Sequence, residues 1–398
     1  MQQELKTEQK EEYKETELGL LPESWIVENF TQCINKKRIK LGKVKKQEYQ
    51  EIGKFPIVDQ GQKLIAGYCD NEEDVYKGEL PIIIFGDHTR IIKFIDFSFV
   101  CGADGTKVIV PDLSKLSTSF FYYALSNIEI PSRGYNRHYS LLKEKKIPLP
   151  PLPEQKKIAF ILSTIQDAIE KTENVINSFK ELKKSMMKHL FTYGPVSLEQ
   201  AEKTKLKKTE IGYMPKEWDI KNFEKCINKK IIKVGKIKQQ EYKGVGKYPI
   251  VDQGQNLIAG YWDNEKDVYQ GDLPIIIFGD HTRIVKFIDF PFVCGADGTK
   301  IIVPNLEVID SKFFHYALKN TEIPSRGYNR HYSLLKEKRL PIPSISVQKE
   351  IASIIYSIDE KKEKEENKKN ALEELFKSML HNLMTAKIRV NHLNFEEQ

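Results

Sequence analysis

Cysteine is scarce: five residues in 398, with no C-x-x-C pair and no Cys/His spacing that would hold zinc. A disulfide framework is not expected, and a reducing cytoplasm fits best. Long apolar runs are missing as well. Stretches such as Leu80–Phe85 fall far short of the ~20 residues that cross a bilayer, and the opening MQQELKTEQKEE has no apolar leader core. Neither secretion nor contact with a membrane is expected. Catalytic signatures are also absent. There is no G-x-x-x-x-G-K-[ST] phosphate loop, no G-x-G-x-x-G opening a helix, and no Asn/Asp-Pro-Pro-aromatic stretch of the kind that holds a flipped base. We expect no enzyme activity, no metal and no bound S-adenosylmethionine in this chain itself. Excess charge of one sign is small: 63 Lys and Arg against 56 Asp and Glu, a net +7. That surplus permits polyanion binding without requiring it.

What the chain does have is itself, twice. Thr16-Glu17-Leu18-Gly19 returns as Thr209-Glu210-Ile211-Gly212, and the offset of 193 residues holds through PIVDQGQ (Pro56–Gln62, Pro249–Gln255), IIIFGDHTRI (Ile82–Ile91; second copy IIIFGDHTRI, Ile275–Ile284) and PSRGYNRHYSLLKEK (Pro131–Lys145, Pro324–Lys338). A period this long means two whole domains, not a solenoid or propeller. Each copy opens with short strand-like runs broken by turn signals. IIIFGDHTRIIKFIDFSFV reads as strand, Gly-Asp turn, strand, corner, strand, and STSFFYYALS (Ser117–Ser126) as a short helix with an aromatic face. The expected class is α+β.

Each copy closes with a different object. From Glu154 to Thr192 there is no Pro or Gly, and Ile158, Leu162, Ile165, Ile169, Ile176, Phe179, Met186 and Leu190 follow 4-3 spacing, as a long helix seeking a helical partner does. The second copy repeats the pattern but carries KKEKEENKK at Lys361–Lys369, which should be looser or face solvent. The two helices are expected to pack on each other as an antiparallel coiled coil; two separate hairpins are the alternative. The expected boundaries are a tail at 1–15, a globular domain at 16–153, a helix at 154–193, a linker at 194–208, a second domain at 209–346, a second helix at 347–387 and a tail at 388–398.

Candidate chemistry is sparse. Asp87-His88 and Asp280-His281 put a carboxylate beside an imidazole, but with no third ligand at metal spacing they read better as turn residues. Pro111-Asp112 followed by Lys115 has a nuclease-like look that Pro304-Asn305 and Val308 do not repeat, and Cys101 and Cys294 read as small core residues. Basic clusters are more informative. KKRIKLGKVKK (Lys36–Lys46) holds seven basic residues in eleven, and KKIIKVGKIK (Lys229–Lys238) five in ten. Lys36, Lys37, Arg38, Lys43, Lys45, Lys229, Lys230 and Lys236 could track phosphates or merely form a solvated face. The loop SRGYNRHY offers Arg133, Tyr135, Asn136, Arg137 and His138, repeated as Arg326, Tyr328, Asn329, Arg330 and His331; Gln62, His88, Arg90 and Gln255, His281, Arg283 add similar groups beside Gly turns. Arg suits guanine and Asn suits adenine in the major groove. The other reading of that loop is structural, its Arg residues paired with carboxylates. A doubled unit on helical spacers suits duplex DNA, and antiparallel helices would relate the units by a pseudo-twofold axis.

The opening motifs TELGLLPESW (Thr16–Trp25) and TEIGYMPKEW (Thr209–Trp218), with IPLPPLPEQKKIAFIL (Ile147–Leu162) leading into the long helix, resemble the specificity subunit of Type I restriction-modification systems over nearly the whole chain. The second half departs where Ser346-Val347 replaces Pro153-Glu154. The resemblance implies two target recognition domains on spacer helices and a subunit that does no chemistry. It implies two modification (methyltransferase) subunits clamped on the helices, methylating adenine in double-stranded DNA. Restriction (motor-nuclease) subunits would join them, with S-adenosylmethionine, ATP and Mg all held by the partners. Because the loops are the same in both halves, the target is expected to be a palindromic interrupted site. A nucleic-acid-binding scaffold without restriction partners is the alternative.

Overall fold

The computed structural model describes residues 12–35, 42–102, 105–132, 134, 136–229, 234–325, 327 and 329–393. The chain divides into two units. One joins the residues up to Glu173 with those from Asn367 onward, and the other is the continuous stretch Asn174–Glu366. Each unit therefore contains one globular domain, the nearer part of one long helix and the farther part of the other.

In the first unit the run IIIFG forms the strand Ile82–Gly86, central between Thr106–Ile109 and Ile92–Ile95, with antiparallel pairing on both sides. Its side chains alternate between two cores. Ile83 and Phe85 point into the large one with Trp25, Phe30, Phe120 and Phe121, while Ile82 and Ile84 point into a smaller one with Val58 and Phe99. Burial on both faces explains why this strand is apolar throughout instead of alternating. A four-stranded sheet runs Lys43–Val44, Val100–Gly102, Phe55–Val58, Gly67–Cys69. The Pro-rich stretch before the helix pairs as Lys146–Leu149 with Ile26–Asn29. The aromatic helix is Thr118–Ser126, capped by the Ser117 hydroxyl, which accepts from Phe120 N–H. The second unit repeats this plan, with Ile275–Gly279 central and Ser311–Asn320 as its aromatic helix, capped by Asp310.

The long helices span Leu152–Tyr193 and Ile345–Met384. Each begins two residues earlier than expected; in the first, Pro153 sits in a first turn where its missing N–H is no loss, and the second ends at Met384, short of the expected 387. Gly194, at φ 87°, ends the first one. Gln155 anchors that helix to its domain: its amide donates to Pro150 O and Lys115 O and accepts from Ser117 N–H. Gln348 repeats those bonds with Pro343, Val308 and Asp310. Within each unit the two helices run antiparallel. In the first, Glu173 meets Lys369 while Glu154 meets Arg389; in the second, Lys183 meets Asp359 while Leu190 and Phe191 share a core with Ile351 and Ile355.

Three sequence expectations change. The charged stretch Lys361–Lys369 is not looser but helical throughout; it does face solvent at Lys361, Glu363, Lys364, Asn367 and Lys368, while Lys362 pairs with Glu366 in the second unit and Lys369 with Glu173 and Glu373 in the first. The expected tail at 1–15 contributes the strand Tyr13–Thr16, paired with Gly19–Pro22, and the linker holds a short helix, Leu198–Ala201, and the strand Leu206–Thr209. The expected tail at 388–398 is partly core, with Val390 buried in the first unit and the Arg389 guanidinium on Glu154.

Candidate nucleic-acid interface

The quoted motifs converge. In the first unit the hairpin turn of FGDHTR is the hub, and three other loops are tied to it. Asp87 N–H donates to Gly105 O at 2.7 Å, bringing in GADG. His88 N–H donates to Gln60 Oε1 at 3.0 Å and the Thr89 hydroxyl to Gln60 O at 2.6 Å, bringing in DQGQ. His138 N–H donates to Asp87 O and Tyr139 N–H to Asp87 Oδ1, both at 2.8 Å, bringing in SRGYNRHY. Arg90, at φ 63°, donates from Nη1 to Ile130 O at 2.8 Å and pins the same loop from its other end. The second unit repeats every tie: Asp280 to Gly298, His331 and Tyr332; His281 and Thr282 to Gln253; Arg283 to Ile323.

Two buried charges stabilise the arrangement. Burial alone would raise the Asp87 carboxyl, but the Tyr139 N–H, the Lys107 ammonium 3.4 Å away and the His138 N–H together hold it below the ordinary carboxylate range. Asp280 is held low in the same way by Tyr332, Lys300 and His331. Lys93 is 5% exposed and donates to Asp59 O and Lys63 O at 2.7 and 2.6 Å, clamping DQGQK from beneath; burial lowers its amine. Lys286 does the same with Asp252 and Asn256. The sequence signal for Lys93 was a lone lysine on the inward side of the alternating strand IKFI.

The candidates sort as follows. Gln62, Asn136 and Arg137 with Gln255, Asn329 and Arg330 are exposed on the gathered loops, and His88 and His281 are half-buried at the turns. Arg90 and Arg283 are exposed, yet each lends its guanidinium to a backbone carbonyl and so braces the loop. His138 and His331 are corrections. Both are fully buried, with Nδ1 against the carbonyl of Asp87 or Asp280 at 3.0 and 2.9 Å, so they fasten the loop instead of reading bases. Lys43, Lys45, Lys229 and Lys236 are exposed. Lys43 lies in the strand paired with Cys101 and Gly102, and Lys236 donates to Thr299 O, so the basic runs end beside the GADG turn. Lys36, Lys37, Arg38, Arg133, Tyr135, Lys230, Arg326 and Tyr328 lie outside the described residues.

Among the described residues no group of three or more His, Cys, Asp or Glu is placed to hold a metal ion. Asp112 accepts from the Ser114 N–H and hydroxyl, as a turn cap does. Cys101 and Cys294 are buried, which pushes each thiol up to about 11. The arrangement presents amide and guanidinium groups on loops tied together by hydrogen bonds, which suits recognition.

The family described as Type I restriction modification DNA specificity domain matches residues 30–181 and 215–374. A Methanocaldococcus jannaschii protein provisionally named as the specificity subunit of the MjaX type I restriction enzyme is 27% identical over 96% of this chain and 97% of its own length. The MjaVIII specificity subunit of the same organism is 30% identical over 63% of this chain and 64% of its own. In fold, the chain is similar to the crystal structure of a Type I restriction-modification S subunit from M. genitalium, with a TM-score of 0.63, 20% identity, and coverage of 90% and 96% of the two chains.

Proposed function

The chain belongs to the Type I restriction-modification DNA specificity family, the DNA-recognition part of such complexes, and from that premise we propose that each of its two units reads one half-site of a palindromic, interrupted duplex target. The observation that carries this is duplication at the atomic level. DQGQ, FGDHTR, GADG and PSRGYNRHY are identical in the two copies, and each unit ties them together with the same hydrogen bonds. Equal loops held equally should read equal sequences. The antiparallel run of the helices inside each unit supports inverted half-sites.

In this reading Arg137, Asn136 and Gln62, with Arg330, Asn329 and Gln255, approach base edges in the major groove, where Arg and Asn or Gln discriminate guanine and adenine. Lys43, Lys45, Lys229 and Lys236 meet phosphates. The chain does no chemistry itself. Two modification subunits on the long helices flip and methylate adenine with S-adenosylmethionine, and restriction subunits supply ATP- and Mg-dependent cleavage, in the cytoplasm where the DNA lies. Among the described residues no helix is long and apolar enough to cross a membrane. Single-molecule methylation sequencing of DNA from cells carrying the system tests the proposal. One half-site in two inverted copies is expected; two unrelated half-sites would overturn it.

A further inference from the structure

The two units share their reading loops but not the surface beside them. In the second unit a groove of about 1100 Å³ opens between the hairpin Thr282–Phe287, the aromatic helix Ser311–Asn320 and the long helices. Seven basic residues line it, among them Lys180, Lys312 and Lys319, against three acidic ones, Asp359, Glu363 and Glu366. The groove begins at Gln255, Thr282 and Arg283, on the loops proposed to read DNA.

The offset of 193 residues gives the corresponding residues of the first unit. Lys312 and Lys319 become Ser119 and Ser126, Lys180 becomes Glu373, Lys183 becomes Phe376, and Lys362 becomes Ile169. Of the corresponding positions only Arg90 and Lys93 are basic, against Glu170, Glu173 and Glu373, the last two paired with Lys369. The net charge of the lining is thus +4 in the second unit, against −1 at the matching positions of the first, or 0 with Lys369 included. The structural equivalence is direct. Tyr123 donates to Gln166 and stacks edge-on with Phe376 in the first unit, whereas Tyr316 donates to Asp359 beneath the Lys183 ammonium in the second. Where one unit has a neutral seam, the other has an ionic one.

The cationic groove also carries groups that an anion would relieve. Burial and the Lys183 ammonium lower the Lys319 amine. His315, on the groove wall where the first unit has Tyr122, is 8% exposed, and its Nδ1 has no hydrogen-bond partner among the described residues. Its imidazole is held neutral by burial, so the positive charge of the groove belongs to the lysines and Arg283.

We propose that this groove holds the phosphate backbone of the DNA flanking the half-site read by the second unit, and that the first unit has no matching hold. Two readers of the same sequence then grip their half-sites unequally. The inference rests on the reading of the gathered loops as a DNA interface.

The test uses the full chain assembled with its modification subunits and a fluorescent duplex of mixed sequence, with Kd measured across a salt series. The variant Lys180→Glu, Lys312→Ser, Lys319→Ser rewrites the groove with residues the first unit already tolerates. Its log Kd against log salt slope should be shallower by about 2–3, since each lost phosphate contact removes about 0.9. The reciprocal variant Ser119→Lys, Ser126→Lys, Glu373→Lys should steepen the slope. Unchanged slopes in both overturn the proposal. So does loss of modification-subunit binding at an unchanged slope, which would assign the groove to an acidic protein face. If the unaltered complex fails to bind duplex at all, the DNA-interface reading itself falls.

Discussion

Arg389→Met should be among the most damaging single substitutions outside the apolar core of the first unit. Glu154 is 3% exposed, and its two carboxylate oxygens accept from Arg389 Nε at 2.8 Å, Arg389 Nη2 at 3.1 Å and the Trp25 indole at 3.0 Å. Removing the guanidinium leaves a buried carboxylate with the indole as its one remaining listener of these three, a loss of about 3–5 kcal/mol. In a unit of this size each kcal/mol moves the melting temperature by about 2–4 °C, so the first unit should melt roughly 6–20 °C lower. The second copy shows how to escape the cost. At the matching sequence positions it carries Val347 and Val196. Glu154→Val with Arg389→Val should therefore lie within about 1 kcal/mol of the unaltered chain, because an apolar pair replaces a buried ionic one without leaving an orphan charge. Calorimetry that resolves the two units, run on Glu154→Val, Arg389→Val and the double, gives the coupling directly. Near-additive losses, or a double variant as unstable as either single one, would refute the reasoning. High salt should not mimic the substitution, since a buried pair is weakly screened.

Three further outcomes are expected. Asp87→Ala together with Asp280→Ala should release the SRGYNRHY loops and weaken duplex binding while the long helices keep their circular-dichroism signal; tight binding in that variant would show that the tie is dispensable. Because both carboxyls are held below the ordinary value of ~3.9, their stabilisation is complete above that pH and lost as pH falls below it through the lowered folded values, so acid titration of loop hydrogen exchange should show protection failing there. His315 acts in the same direction but over a higher pH range. Burial, with Lys319 on its own helix and Lys183 on the long helix, pushes it down to about 3, so the unfolded chain binds its proton first. Stability of the second unit should decline as pH drops below about 6.5, and His315→Phe should flatten that part of the denaturation profile.

Much of the architecture was legible because it rests on periodicities. The offset of 193, the 4-3 seam of the long helices and the inward run of Ile82–Phe85 are all set by which residues must leave water. The candidate loops were legible by composition, but what each side chain does there was not. Nothing local distinguishes Arg137, exposed, from His138 beside it, buried against the Asp87 carbonyl, because the tie is made by a residue fifty-one positions away. Arg90 looked like a base reader, and its left-handed backbone and bond to Ile130 O depend on the register of a turn. Lys93 and Arg389 were overlooked because a buried cation makes sense only once its partners have been brought to it.

The uneven division of the chain has a consequence for the order in which the protein takes shape during synthesis. The second unit is one uninterrupted stretch, Asn174–Glu366, so everything in its core, from Leu190 to Ile355, has left the ribosome before the first unit is complete. The first unit waits for Leu383, Met384 and Val390 to cover a surface translated hundreds of residues earlier. The reader that begins second finishes first, and the nascent first domain carries an open apolar seam until the last turns of helix arrive.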